Sequence, residues 1–374
     1  MSTLEKMQVL SDFAQYDLCD KVTSYSNTSQ INLPGIYQAT GANGCQIPIF
    51  KTLMSNKCKN DCKYCINQHN NKFTRMELSP EELSKVFLHY YNNNYVDGLF
   101  LSSGISHDVD DTMEKVIETS RILRKDYGYQ DYIHLKIIPG ASKDSIKRAM
   151  ELADRVSINV EAATKSGLDE ISSTKDYNKD ILKRIDWIRQ IQKRNPKFIP
   201  SGHTTQFIIG ANDESDLEVL KRVDELYKKS NLQASYFSPF NPIEGTELEK
   251  KPECRKERTN QLYHANALVG DYHFKVDELV FDENDQLHLD EDPKILAARE
   301  MDIFPVEINS APYVHLIRVP GIGPKSAGRI MNIRKKIPFT KLEELQRIGV
   351  VVKRAEPYIK LGGKYQTALD DLFH

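Results

Sequence analysis

Cys58, Cys62 and Cys65 stand in one short run, Cys58-Lys-Asn-Asp-Cys62-Lys-Tyr64-Cys65. Three thiolates at this spacing can close around one face of an iron–sulfur cube. A four-iron cluster commonly takes four cysteines, so three leave one iron open, and an open iron can bind a cofactor or substrate. A zinc site is the alternative. His69 follows Cys65 closely enough to serve as a fourth, tetrahedral ligand. Cys19, Cys45 and Cys254 are scattered singly and read as structural or incidental.

The elements that must position these thiols alternate in type along the middle of the chain. Gln46–Met54 has the pattern of a strand, and the cysteine run follows at once. Ser79-Pro80-Glu81-Glu82 is a capping box with proline at the first helical position. It opens a helix whose Leu83, Val86, Phe87 and Tyr90 share one face. Strands are expected at Val96–Leu101, Ile133–Ile138, Arg155–Val160, Thr204–Ile209 and Gln233–Ser238. Helices are expected through Met113–Leu123, Ile181–Gln192 and Leu217–Tyr227. Repeated strand–helix units argue for a parallel sheet with crossover helices. In a parallel barrel the functional groups gather at the C-terminal strand ends. The cysteine run, Ser102-Ser103-Gly104, Lys136, Glu161 and Gly210 all fall there. Alternation is read as sending Lys136 into the barrel and His134 to the opposite face.

The chain of 374 residues has a net charge of −2, and its length suggests two domains. From Pro305 onward there are 12 Lys+Arg against 6 Asp+Glu, while residues 1–304 hold 39 against 47. A basic tail on an acidic body points to a polyanion partner, or to a solvated basic face. No apolar run approaches a membrane span and no secretory signal opens the chain. Clustered thiols then fit a reducing, cytoplasmic setting. Asp292-Pro293 reads as the cap of a short helix. The stretch from Val306 is expected to be helical to about Arg318. Val319-Pro320-Gly321-Ile322-Gly323 then forms a tight hairpin, and Pro324 opens a helix through Arg334. Glycines there permit close backbone approach, and amides at a helix N-terminus can hold a phosphate. Lys325, Ser326 and Arg329 would join Gly321 and Gly323 in such a contact. A second hairpin at Gly349–Val352 looks degenerate, lacking the second glycine.

The cysteine spacing, with an aromatic before the last cysteine, resembles the signature of the radical S-adenosylmethionine (SAM) enzymes. The resemblance implies a [4Fe-4S] cluster whose open iron chelates the amino and carboxylate groups of SAM. An electron from the cluster would split the sulfonium to give a 5′-deoxyadenosyl radical. Ser102-Ser103-Gly104 stands where the family carries a Gly-Gly-Glu-like stretch, so hydroxyls or carbonyls would replace the missing acid. Asn159 and Glu161 would bind the ribose, Glu161 having the alternative of capping the next helix. Gln206-Phe-Ile208-Ile-Gly210 is similar to the family's Gly-x-Ile-x-Gly adenine strand, with Gln206 for the first glycine. Tyr64 would lie against the adenine edge, and Phe237–Pro239 would complete its pocket. Lys136 would meet SAM or a substrate phosphate, or else pair with Glu161.

The hairpin resembles the helix-hairpin-helix module of DNA-repair and DNA-uptake proteins. More narrowly, Asn94-Tyr95-Val-Asp-Gly98-Leu-Phe-Leu-Ser102-Ser103-Gly104, Ile133-His134-Leu135-Lys136-Ile-Ile-Pro139-Gly140 and Ala153-Asp154-Arg155-Val-Ser-Ile-Asn159 resemble the DNA modification/repair radical SAM proteins. These are similar to partners of a uracil-DNA-glycosylase-like protein. The implied fold is α/β: a partial (β/α)6 TIM-like barrel at 46–245 with a small all-α helix-hairpin-helix domain at 305–374. Residues 1–45 would be an N-terminal extension and 246–304 a connecting segment. The implied function is hydrogen abstraction from a nucleotide in DNA, drawing on an electron donor. An RNA substrate and a non-catalytic, redox-sensing iron–sulfur protein are the alternatives.

Overall fold

The computed structural model describes residues 3–14, 33–41 and 44–365; Cys19 lies outside them. The chain divides into two compact units, residues 1–214 with 225–256, and residues 215–224 with 257–374.

The first unit begins with α1 (Thr3–Ala14), which buries Met7, Leu10 and Ala14. β1 (Ile36–Thr40) pairs antiparallel with β2 (Gln46–Leu53). From β2 onward the sheet is parallel and sequential through β3 (Gly98–Ser102), β4 (Tyr132–Lys136), β5 (Arg155–Ser157), β6 (His203–Ile209) and β7 (Ala234–Pro239). The crossovers carry α2 (Pro80–Asn92), α3 (Val109–Arg121), α4 (Lys143–Leu152), α5 (Lys165–Ile171), α6 (Lys183–Arg194) and α7 (Asp216–Ser230). Six parallel strands in this order make the partial barrel read from the sequence. β1 is an antiparallel edge strand added to it. β3 is buried along its whole length, as befits a strand covered on both faces.

Local chemistry sets the helix ends. Ser79 accepts from the Glu82 amide while Glu82 accepts from the Ser79 amide, so the capping box forms as read. α4 starts at a Ser142 cap and buries Ile146, Ala149 and Met150. β5 is interrupted after Ser157, and the chain meets β6 again where Glu161, at φ 67°, bridges Phe207.

Register places side chains in rows across the barrel. Lys51 lies beside Phe100, Phe100 beside His134, and His134 beside Arg155. Lys136 neighbours Ser157, whose hydroxyl is 2.9 Å from His134 Nε2. His134 and Lys136 therefore share the interior face. The expectation of opposite faces is corrected, since residues two apart on a strand point the same way. Burial, then the charges of Arg155, Lys136 and Lys51, hold the His134 imidazole well below its ordinary pKa, so it is neutral.

The second unit contains α8 (Lys256–Gly270) and α9 (Pro293–Arg299), the latter capped by Asp292 as read. β8 (Val306–Glu307), α10 (Tyr313–Leu316), α11 (Pro324–Ile333), α12 (Leu342–Arg347), α13 (Val352–Ala355), β9 (Ile359–Leu361) and β10 (Lys364–Tyr365) follow. Ile308, Leu316, Val319, Ile322, Ala327, Ile330, Leu345 and Ile359 form its core. The continuous helix expected from Val306 to Arg318 is absent. Val306–Glu307 pairs with β9 instead, and Pro312, which cannot donate within a helix, caps the short α10. The helices are thus joined by a three-stranded sheet, which the sequence reading had not foreseen.

Candidate functional site

The C-terminal ends of the parallel strands enclose a concave mouth. The loop after β2 brings Cys58, Cys62, Tyr64 and Cys65 to its wall, and the end of β3 brings Ser102, Ser103 and Gly104. Lys136, Asn159, Glu161, Gln206 and Ile208 complete the set from the later strands. Twelve of the thirteen mouth residues singled out in the sequence therefore share one wall. Gly210 is apart from it, at φ 87°, where an added Cβ would come within 2.9 Å of Cys254 Cβ.

The cysteine loop is shaped by a residue the sequence reading passed over. Arg75 donates to the carbonyls of Asn56 and Asn67 through one nitrogen, at 2.6 and 2.9 Å. Its other terminal nitrogen donates to Gln68 and Asn71, at 2.6 and 3.1 Å. One planar fork thus satisfies four carbonyls of an irregular loop that has no ladder of its own. The Asn56 side chain accepts from Met76 N at 2.6 Å and donates to the Thr74 carbonyl at 2.9 Å. Gly104 packs so closely on the loop that a Cβ would overlap the Lys57 carbonyl oxygen. His69 turns Nδ1 toward the Asn60 carbonyl at 3.3 Å.

A second tie runs from Asp61 to the segment after α5. Its carboxylate accepts from the Ser172 hydroxyl at 2.9 Å, the Ser173 amide at 3.1 Å and the Thr174 hydroxyl at 2.7 Å. The Ser173 hydroxyl donates to it as well. Burial would raise this acid, but the hydrogen bonds from Ser173, Thr174 and Ser172 hold it far below the usual carboxylate range. The next residue, Lys175, has a side chain 9% exposed and reaches Glu161 at 3.2 Å. Glu161 thus pairs with Lys175 and not with Lys136, and the helix that follows is capped by Thr164. Asn159 Nδ2 lies 3.4 Å from the Glu161 carboxylate.

The thiols and Tyr64 feel this setting. Burial raises Cys62, against the opposing charge of Lys175. Burial, then the charges of Cys62 and Cys58, raises Cys65. Tyr64 is raised well above its ordinary value by burial and by the nearby Glu161 carboxylate. Cys65 and Tyr64 keep some surface open to the mouth.

In the second unit, Gly321 (φ 84°) is pressed against the Val351 carbonyl, and Val351 N donates to the Gly321 carbonyl at 2.9 Å. The second hairpin therefore forms, with Gly349 at φ 91°, but α13 behind it is a single turn. Gly323 caps α11, and its amide donates to Ser326 Oγ at 2.9 Å. Ser326 is buried in that cap, whereas Lys325 and Arg329 are exposed one turn apart. Arg329 also donates to the Ile348 carbonyl at 2.9 Å. Beneath the hairpin, buried Lys294 donates to the Ile322 carbonyl at 2.6 Å and lies over the Tyr272 ring.

Residues 52–226 match the radical SAM superfamily, and residues 303–354 match the helix-hairpin-helix motif. The chain carries a radical SAM domain. Members of that superfamily use a [4Fe-4S] cluster and SAM. Among solved structures, methylornithine synthase (PylB) is 14% identical with a TM-score of 0.47, covering 58% of this chain and 60% of that one. The [FeFe]-hydrogenase maturase HydG from Carboxydothermus hydrogenoformans is 17% identical with a TM-score of 0.46, covering 58% and 50%. Another structure of HydG, a maturase of the [FeFe]-hydrogenase, is 13% identical with a TM-score of 0.47, covering 58% and 48%. The match thus spans about half to three-fifths of the solved chains. No curated protein matches the chain.

The radical SAM mouth suits its cofactors chemically. Its three cysteines are free thiols. Among the described residues no three of His, Cys, Asp and Glu converge as ligands of a single metal ion do. Asn60, Asn67, Lys175 and Asn241 also line the mouth, and none announced itself in the sequence. Lys175 follows no strand end. The Asp61 contacts, more than a hundred residues away along the chain, help to bring it there.

Proposed function

We propose that this chain is a radical SAM enzyme that abstracts hydrogen from a nucleotide in DNA, for repair or modification. The observation that carries the reading is the pairing, in one chain, of a radical SAM domain with a helix-hairpin-helix motif. In this reading Cys58, Cys62 and Cys65 hold the cluster from the barrel domain, residues 46–245. Bound cluster and SAM supply reductive cleavage of the sulfonium and a hydrogen-abstracting group. The remaining work falls to the chain's own side chains. Asn159 and Glu161 bind the ribose hydroxyls. Ser102, Ser103 and Gly104 offer hydroxyls and carbonyls to the SAM ammonium. Gln206 and Ile208 border the adenine with Tyr64, and Lys136 meets SAM or a substrate phosphate.

The hairpin module, residues 305–374, grips the DNA backbone without reading sequence. Gly321 and Gly323 allow the backbone to approach a phosphate, and Lys325 and Arg329 add salt-dependent attraction. Ser326 serves the hairpin itself, through Gly323. A base inside a duplex must be flipped, or already unstacked, to enter the mouth. An external electron donor completes the reading, together with a cytoplasmic location and a uracil-DNA-glycosylase-like partner. That partner rests on the family resemblance alone. No helix among the described residues is long and apolar enough to cross a membrane.

The test is 5′-deoxyadenosine release from SAM by reconstituted, reduced protein, with and without duplex DNA. Release stimulated by duplex DNA supports the reading. Release indifferent to DNA but stimulated by RNA would replace the substrate, and indifference to both would remove nucleic acid from the account.

A further inference from the structure

One aromatic ring in the mouth serves none of the cofactor contacts. Phe13 lines the wall, yet it comes from α1, outside residues 52–226 that match the superfamily. The helix that carries it is firmly seated. Met7 and Leu10 are fully buried, and Lys6 pairs with Glu82 of α2 at 2.9 Å.

Phe13 is also backed from behind. Its ring packs on that of Phe73, with centroids 4.6 Å apart and planes 30° from parallel. The Arg75 guanidinium lies 4.0 Å over the Phe73 ring in turn, and its fork is pinned to four loop carbonyls. Phe73 is set back from the wall that Phe13 lines. With Phe73 against one face, Phe13 meets the mouth through its other face and its rim.

Among the described residues, Tyr64 and Phe240 are the other aromatics of that wall. Tyr64 borders the adenine in the proposed function, and Phe240 is only 2% exposed, too little to offer a face. Phe13 is half-buried. An aromatic side chain on which a flat group can lie is how proteins hold an unstacked base, since every base has a π-face. SAM is common to the superfamily, so a ring contributed from outside the matched residues is suited to what differs, the substrate.

We propose that Phe13 is the stacking platform for the substrate's nucleobase, which lies on the ring face turned away from Phe73. The inference deepens the reading of a nucleotide in DNA as the substrate and rests on it. The stack then runs Arg75, Phe73, Phe13, base, with the last layer supplied by the substrate. Stacking tolerates any base, so choice among bases falls to edge contacts. Asn60 and Asn241 line the same wall and carry amide donors and acceptors for such an edge.

The experiment measures 5′-deoxyadenosine release by the reconstituted full chain at saturating SAM, against the concentration of duplex DNA with one unpaired base. SAM affinity and iron content are measured in parallel. Phe13→Leu keeps apolar bulk on Phe73 but removes the π-face. It should lower kcat/KM for that DNA roughly 5- to 100-fold, with SAM affinity held. Phe13→Tyr should stay near wild type. Phe13→Trp reports stacking directly, and decides the matter if Phe13→Leu takes up no iron. Its emission, beyond that of Trp187, the one native tryptophan, should be quenched by the same DNA. Wild-type kcat/KM in Phe13→Leu with full iron would overturn the inference, as would unquenched emission in Phe13→Trp. Lost SAM affinity in Phe13→Leu with unchanged kcat/KM for DNA would assign the ring to the SAM adenine and overturn it too. A wild-type chain whose release is indifferent to DNA would instead overturn the reading of the substrate, and this inference with it.

Discussion

Replacing Gly104 by alanine tests how tightly the cysteine loop is seated on the end of β3. A Cβ there would overlap the Lys57 carbonyl oxygen, and would come within 3.1 Å of the Lys57 carbonyl carbon and 3.2 Å of Cys58 Cβ. The first two are backbone atoms, so no side chain can swing aside. The loop must move by roughly 1 Å to restore ordinary contact with that oxygen. Overpacking of this kind costs about 1–3 kcal/mol. Stiffening the unfolded chain returns about 0.4–1 kcal/mol. A net loss of about 1–2 kcal/mol corresponds to a fall in Tm of roughly 3–6 °C for a unit of this size. Because the displaced atoms adjoin Cys58, iron uptake should fall with it. The assay is thermal unfolding of the apoprotein, with iron and sulfide analysis after anaerobic reconstitution. Gly328→Ala in α11, where a Cβ meets nothing within 4 Å, should be neutral or stabilising and serves as control. Wild-type Tm and full iron in Gly104→Ala would refute the packing argument.

Three other expectations follow from the contacts. Arg75→Leu leaves four loop carbonyls without their donor; a loss of about 2–4 kcal/mol should appear in denaturant unfolding, and a loss under 1 kcal/mol (about the worth of one such bond) would sink the view of Arg75 as organiser. Lys325→Ala should weaken DNA binding and lower the slope of log K against log salt by about 0.9 for one phosphate contact. It reads that contact more cleanly than Arg329→Ala, because Arg329 also holds the Ile348 carbonyl, and an unchanged slope would remove Lys325 from the interface. Burial pulls Lys294 down to about 7, whereas the unfolded lysine stays protonated to about pH 10.4. The unfolded chain therefore binds more protons between these values, and the second unit should gain stability as pH rises through that window, by at most about 1.4 kcal/mol per pH unit. Hydrogen exchange of α11 amides measures this, and Lys294→Met should flatten the dependence; an equal slope in the variant would assign it to another group.

What could be read from the sequence was local or periodic. The three cysteines, the six parallel strands and the Ser79 and Asp292 caps each have a short-range cause, and each is found where it was expected. Strand ends brought Ser102, Lys136, Asn159 and Glu161 to one mouth because chain direction alone fixes which end they occupy. Gly210 escaped that logic because its left-handed turn carries it against Cys254. β1 was missed because an antiparallel edge needs no crossover, and so leaves no strand–helix rhythm. The helix expected from Val306 failed where Pro312 and pairing with β9 outweighed apolar spacing. Arg75 and Lys175 were invisible for another reason. Their roles depend on carbonyls of an irregular loop and on a carboxylate far away in the chain, neither of which leaves a pattern in residue type. The error over His134 was one of counting, since residues two apart on a strand share a face.

The most direct test of the central claim is isotope transfer. Reduced, reconstituted enzyme would be incubated with SAM and duplex DNA deuterated at its carbon-bound positions, and the 5′-deoxyadenosine examined by mass spectrometry. Deuterium in that product is the result predicted, and base- or sugar-selective labelling would then locate the atom removed. Product formed in quantity without deuterium, from DNA bound and saturating, would contradict hydrogen abstraction from DNA.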